Sequence, residues 1–149
     1  MEIAKRLETS STLAGLAGIT LTVSGLFLPW ASMTPRYQES LIPLNGLQAN
    51  YALTGTYVLV ALPIEIFGFF LLLAGMRKVA SAILAAAASF MILQTVMWLM
   101  QIYIQYVTFL YVPLVFDSID YIGPYTTIVG SSFTILAALL SLLQLRLGS

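Results

Sequence analysis

Four apolar segments, near residues 11–31, 56–75, 79–100 and 124–145, set the terms on which this chain can fold. Each is long enough to cross a bilayer, which takes about 20 residues in a helix. Composition agrees: 8 % of the residues are charged, whereas soluble domains carry about 25 %. The expected fold is an all-α membrane protein, a single integral domain over residues 1–149. Short connections make successive helices antiparallel, giving a four-transmembrane-helix up-down bundle. Lys5 and Arg6 before the first span imitate the basic region of a signal peptide. The apolar core is too long for one, and no small-x-small cleavage pattern follows. The first span is therefore expected to be retained.

Orientation follows from Lys and Arg in the short flanks. Lys5, Arg6, Arg77, Lys78 and Arg146 fall on one side and Arg36 on the other. Both termini and the tight turn at Met76-Arg77-Lys78 are expected to face the cytoplasm of a multi-pass protein in the cell membrane. Loops 32–55 and 101–123 then face outward. Trp30, Tyr37, Trp98, Tyr103 and Tyr106 lie near the outer ends of the first and third spans, where an aromatic belt is expected.

The third apolar stretch runs uncharged from Val79 to Val112. As a helix it would be roughly 50 Å long, so it should protrude outward and break at or before Pro113. Gln94, Gln101, Gln105 and Thr108 fall near one face of it, which suits contact with the outer loops or a partner. In the first outer loop, Ser40-Leu41-Ile42-Pro43-Leu44 alternates in character and precedes Asn45-Gly46, a strong turn signal. A short β-hairpin is plausible there, with Pro43 restricting its first strand to an edge. Pro124 suits the first turn of the last helix. Thr9-Ser10-Ser11 reads as the N-cap of the first.

Helices in lipid associate through close packing of small residues and interhelical hydrogen bonds. Each span offers a stripe of small residues. These are Ser11, Gly15, Gly18, Thr22 and Gly25; Ala61, Gly68 and Gly75; Ala82, Ala85, Ala86 and Ser89; and Gly130, Thr134, Ala137 and Ser141. Glu65 is the one charged side chain inside any apolar segment, and a carboxylate there costs roughly 3 kcal/mol on insertion scales. It lies four residues after Ala61 and three before Gly68, so it shares the small-residue face and should point into the bundle or at a partner helix. Ser89, Thr20 or Thr22, and Thr134 are expected at similar depth, forming a buried polar cluster with it. No Lys, Arg or His of this chain reaches that depth, so Glu65 is expected to be neutral unless another subunit supplies a cation. Three roles remain open for it: a structural carboxyl that fixes register, a partner for a charge on another subunit, or an ion or proton site.

Cysteine and histidine are absent. That removes disulfides, thiolate nucleophiles, Ser-His-Asp triads, His-ligated haem and His/Cys metal sites. Asp117 and Asp120 offer at most a weak cation site and read as a solvated loop. No cofactor or metal is expected. With zero net charge and no basic run, nucleic acid is not an expected partner.

The stretch Gly25-Leu-Phe-Leu-Pro-Trp30, then Pro43-Leu-Asn-Gly-Leu47, then Gly55 opening the next helix, resembles small prokaryotic four-span proteins with a claudin-like layout. The resemblance covers about residues 11–78. It implies four helices, a β-structured first outer loop and a structural or interaction role, with no catalytic residues. The claudin loop cysteines and Gly-Leu-Trp motif are missing here. The expected function is a non-catalytic accessory or scaffolding subunit of a larger membrane complex, with lipids and other integral membrane subunits as partners. Two alternatives stand beside it. One is a self-associating proton- or ion-coupled transporter or channel using Glu65; the other is an envelope-organising or adhesion protein acting through loop 32–55.

Overall fold

The computed structural model describes residues 2–35, 42–46, 57–108, 114–119 and 121–148. In chain order these form α1 (Glu2–Phe27), β1 (Pro29–Pro35), β2 (Ile42–Asn45), α2 (Tyr57–Leu73), α3 (Arg77–Thr108), β3 (Leu114–Ile119) and α4 (Ile122–Gly148). The body is helical, as an all-α chain should be, with a small sheet at one end.

Helix α1 begins at Glu2, well before the expected start near Ser11. Arg6 pairs with Glu2 one turn away, and the acid suits the positive end of the helix dipole. Thr9 and Ser11 are consequently interior residues: their hydroxyls donate to the carbonyls of Lys5 and Glu8. They do not cap the helix. At the other end α1 stops at Phe27 and the chain is already extended at Pro29, because the residue before a proline is driven out of the helical region. The span expected to reach residue 31 is thus cut short.

The inward positions repeat every three or four residues, seven per two turns. On α1 they include Ser11, Gly15, Gly18, Thr22 and Gly25; on α2, Ala61, Glu65, Gly68 and Leu72. On α3 they include Ser81, Leu84, Ala88, Met91, Thr95 and Trp98; on α4, Thr127, Gly130, Thr134, Ala137, Ser141 and Gln144. A 3.5-residue repeat keeps one seam of each helix facing its neighbours when the helices wrap with a left-handed twist. The expected stripe on α3 is displaced: Ala82, Ala86 and Ser89 are exposed, and Ala80, Ser81, Leu84, Ala87 and Ala88 are buried in their place.

Contacts order the helices as α2–α3–α4–α1, with α1 also touching α2. On α1 and α4 the matched residues run in opposite directions. A methyl on Gly15 would approach Ala137, on Gly18 Thr134, and on Gly25 Thr127. The backbones are therefore antiparallel and close enough to require glycine at the crossing. Between α2 and α3 the chain reverses through Gly75, whose φ of 80° is left-handed. Met76 N–H donates to Leu71 O and Gly75 N–H to Leu72 O, the paired bonds of a Schellman cap. Gly75 is thus a turn residue; it does not extend the packing stripe of α2.

The surface inverts the usual rule for soluble proteins. Leu13, Phe67, Phe70, Leu93, Leu136 and Leu139 point outward, while Ser, Thr, Gln and Glu65 are buried. An exposed apolar surface of this extent marks a site of membrane or protein contact. Helices α1, α3 and α4 are long and apolar enough to cross a membrane, and α2 is a shorter apolar helix.

The sheet has the order β2–β1–β3, both pairings antiparallel. The hairpin differs from the expected one. Strand β2 pairs with the upstream β1, Met33 opposite Ile42, and Asn45 is its last residue; the strand expected after Asn45-Gly46 lies outside the described residues. Gly46 is needed because a methyl there would lie 2.6 Å from the Trp30 ring. Pro43 does sit on an edge strand. Strand β3 comes from the second connection, expected to be a loop; Val115, Phe116 and Ile119 suit a pleated surface. Helix α3 is described to Thr108; residues 109–113, where the break at or before Pro113 is expected, lie outside the described residues. Arg36, Tyr37, Glu39, residues 47–56 and Asp120 lie outside the described residues.

Candidate functional site

Glu65 is fully buried on α2, between Ala61 and Gly68. Pro63, two residues earlier, removes one N–H from the helical ladder. Opposite lies Thr134 of α4, whose hydroxyl donates to Glu65 Oε1 at 2.5 Å. That oxygen's environment is closed by α1, because Gly18 presents bare backbone to Thr134: a methyl on it would lie 2.7 Å from the Thr134 amide nitrogen. Three helices thus converge on one carboxyl, which has a hydroxyl donor and, among the described residues, no ion-pair partner. Glu65 Oε2 has no hydrogen-bond partner among the described residues.

Of the residues expected around Glu65, Thr134 is the one the structure bonds to it. Thr22 is also fully buried, but its hydroxyl lies 3.5 Å from Ser131 Oγ, forming a second α1–α4 contact. Ser89 is exposed and takes no part. Counting residues from the α2–α3 turn gave its depth, but depth leaves the angle around the helix undetermined. The inward residues on that stretch of α3 are Ala87, Ala88 and Met91. Gln94, expected on a contact face, is buried at 8 % exposure, beside the fully buried Thr95. Gln101 and Gln105 continue α3, and their side chains lie outside the described residues.

Several polar groups in the seam escaped sequence reading. Thr127 and Thr95 return their hydroxyls to Gly123 O and Met91 O on their own helices. Ser81 and Gln144 are buried as well, as is Ser141 of the expected α4 stripe. Thr127, Thr134 and Ser141 are spaced by seven, so the heptad on α4 was the signal that would have found the first of them.

A second buried centre joins helices to sheet. Trp30 is fully enclosed; its indole N–H donates to Gly25 O at 2.7 Å. Its ring meets Trp98 edge-on, with centroids 4.8 Å apart at 74°, a favourable aromatic geometry. Methyls on Gly46 and Gly123 would strike the Trp30 ring. Both tryptophans are therefore interior packing, in contrast to the lipid-facing belt expected of them. Among the described residues, the exposed aromatics at this end are Phe27, Tyr121 and Tyr125.

At the opposite end Arg77 of the α2–α3 turn pairs with Glu8 of α1 at 2.7 Å. Among the described residues no three acidic side chains gather as a metal site. Chemically, the Glu65 site is one buried carboxyl with one hydroxyl donor. It can fix helix register, and it offers a single protonatable station. No family model, curated protein or solved structure matches the chain.

Proposed function

We propose that the chain is a four-span membrane protein acting as a non-catalytic accessory or scaffolding subunit of a larger membrane complex. Both termini would lie in the cytoplasm, where Lys5, Arg6, Arg77, Lys78 and Arg146 gather. Helix α2, with 17 residues, is at the short end of the range for a span, and its antiparallel packing with α3 supports its counting as the fourth.

The carrying observation is that Glu65 is sealed inside its own bundle and satisfied in part by Thr134. A carboxyl meant to pair with another subunit's cation would lie on the lipid-facing surface, so partner contact is assigned to the apolar exterior and the sheet. The test is gentle detergent extraction of the native protein, with mass spectrometry of what co-migrates. A fixed-ratio set of larger membrane proteins is the expected result; a lone homo-oligomer overturns the subunit reading. One observation favours a second reading, an ion- or proton-coupled oligomer: Glu65 Oε2 lacks a partner among the described residues. That reading requires flux in liposomes that Glu65→Gln abolishes.

A further inference from the structure

Several helical hydroxyls return to their own backbone: those of Thr20, Thr95, Thr126, Thr127 and Ser132 donate to the carbonyl four residues earlier. Ser81 of α3 and Ser141 of α4 do not. Both are fully buried, and neither hydroxyl has a hydrogen-bond partner among the described residues. Gln144 Oε1, also buried, has none either. Register brings these groups together near the α2–α3 turn. Trp98 of α3 meets Trp30, which abuts Gly123 at the start of α4, whereas Leu84 clusters with Ala138; the two helices are therefore antiparallel. Ser81 lies three residues before Leu84 and Ser141 three after Ala138, at one level. On α1, Gly15 faces Ala137, so Ser11, four residues earlier, falls opposite Ser141, four residues later. Ser11 is buried and gives its proton to Glu8 O, which leaves its oxygen able to accept. Gln144 follows one turn nearer the end, where Arg77 pairs with Glu8.

We propose that Ser81, Ser141, Gln144 and Ser11 hold one ordered water that bridges α1, α3 and α4 inside the bundle. A buried water makes about three hydrogen bonds, to polar groups that otherwise lack partners. Here the hydroxyls of Ser81 and Ser141 donate to the water, and the water donates to Gln144 Oε1 and Ser11 Oγ. Donors and acceptors balance, and every unpartnered atom is answered. A direct Ser81–Ser141 bond would leave the Gln144 carbonyl bare, and an unpaired buried acceptor is costly. A metal cation would need a balancing charge; no carboxylate belongs to this group, and Glu8 is committed to Arg77. The two halves of the seam thus differ. Towards the sheet, Thr95 and Thr127 bond their own helices; towards the α2–α3 turn, solvent completes the contact.

Two measurements on the full chain, purified in detergent, test the site. The first is a crystal structure at a resolution that shows ordered solvent. A solvent peak within hydrogen-bond distance of Ser81 Oγ, Ser141 Oγ and Gln144 Oε1 is the expected result. Direct contact between the two hydroxyls, or their return to the carbonyls of Arg77 and Ala137, with no solvent between them, overturns the proposal. The second is a double-mutant cycle of Ser81→Ala and Ser141→Ala, read by unfolding in mixed detergent–SDS micelles. Groups that share one water are coupled, and the cycle cancels the helix propensity each alanine adds. The double variant should be about threefold more stable than the product of the single effects predicts, the worth of one interhelical hydrogen bond in a membrane protein. Ser132→Ala, on the exposed face of α4, replaces Ser141→Ala in the control cycle and should combine with Ser81→Ala multiplicatively. Multiplicative effects of Ser81→Ala and Ser141→Ala overturn the proposal.

Discussion

Replacing Gly130 by alanine tests the close α1–α4 crossing. The added methyl would lie 2.6 Å from Thr22 Oγ1 and 2.7 Å from Gly18 O, and would also meet the Thr22 amide. Carbon needs about 3.5 Å, so α1 and α4 must separate by about 0.8–1 Å, which forfeits a quarter to a half of the contact energy along the seam. Overpacking of this kind costs about 1–3 kcal/mol. Loss of the Thr22–Ser131 contact adds about 0.6 kcal/mol, the average for an interhelical hydrogen bond in a membrane protein. Alanine returns about 1 kcal/mol through helix propensity. The net expectation is a loss of about 0.6–2.6 kcal/mol. Gly68→Ala is the control, because its methyl meets Ile83 Cγ2 at 2.9 Å and Leu84 Cδ2 at 3.1 Å, the ends of side chains that can move. It should stay within about 0.5 kcal/mol of the parent once propensity is included. Unfolding in mixed detergent–SDS micelles, followed by tryptophan fluorescence, reads both. Equal stability of Gly130→Ala and the parent, or a larger loss for Gly68→Ala, would refute the close α1–α4 crossing.

Three further outcomes are expected. Thr134→Val keeps the shape and removes the donor to Glu65, so it should destabilise by about 1 kcal/mol in the same assay, while Thr134→Ser should stay near the parent. Trp30→Phe should cost about 1–2 kcal/mol by leaving Gly25 O without its indole donor, and Trp30→Ala about 3–5 kcal/mol by emptying the site; a neutral Trp30→Ala would show the centre to be dispensable. Because the chain has no cysteine, single cysteines at Lys5 and Met76 should react with an impermeant thiol reagent only from the cytoplasmic face, and one at Ser118 only from outside. Labelling of all three from one face would refute the proposed topology.

The inward faces of α1 and α4 were readable in the sequence because glycine, serine and threonine recur there against large apolar neighbours. Helix α3 was not, since alanine and serine occupy most of positions 80–89 and small size alone selects no face. The series Leu84, Met91 and Trp98 carried the decisive spacing. Glu65 pointed inward as its neighbours implied, and Thr134 at similar depth proved to be its donor. Ser89 failed because depth along a helix does not fix azimuth. The sheet was half legible. Pro43 marked an edge, but the pairing of β1 with β3 joins segments about 85 residues apart, and local turn signals carry no information at that range.

Proton flux through purified protein in liposomes tests the central claim, that Glu65 is a structural carboxyl sealed within a scaffold. Under an imposed pH gradient, the parent protein and Glu65→Gln should both leave the gradient decaying at the rate of protein-free liposomes. Flux through the parent that Glu65→Gln abolishes would contradict the account and make Glu65 an ion site.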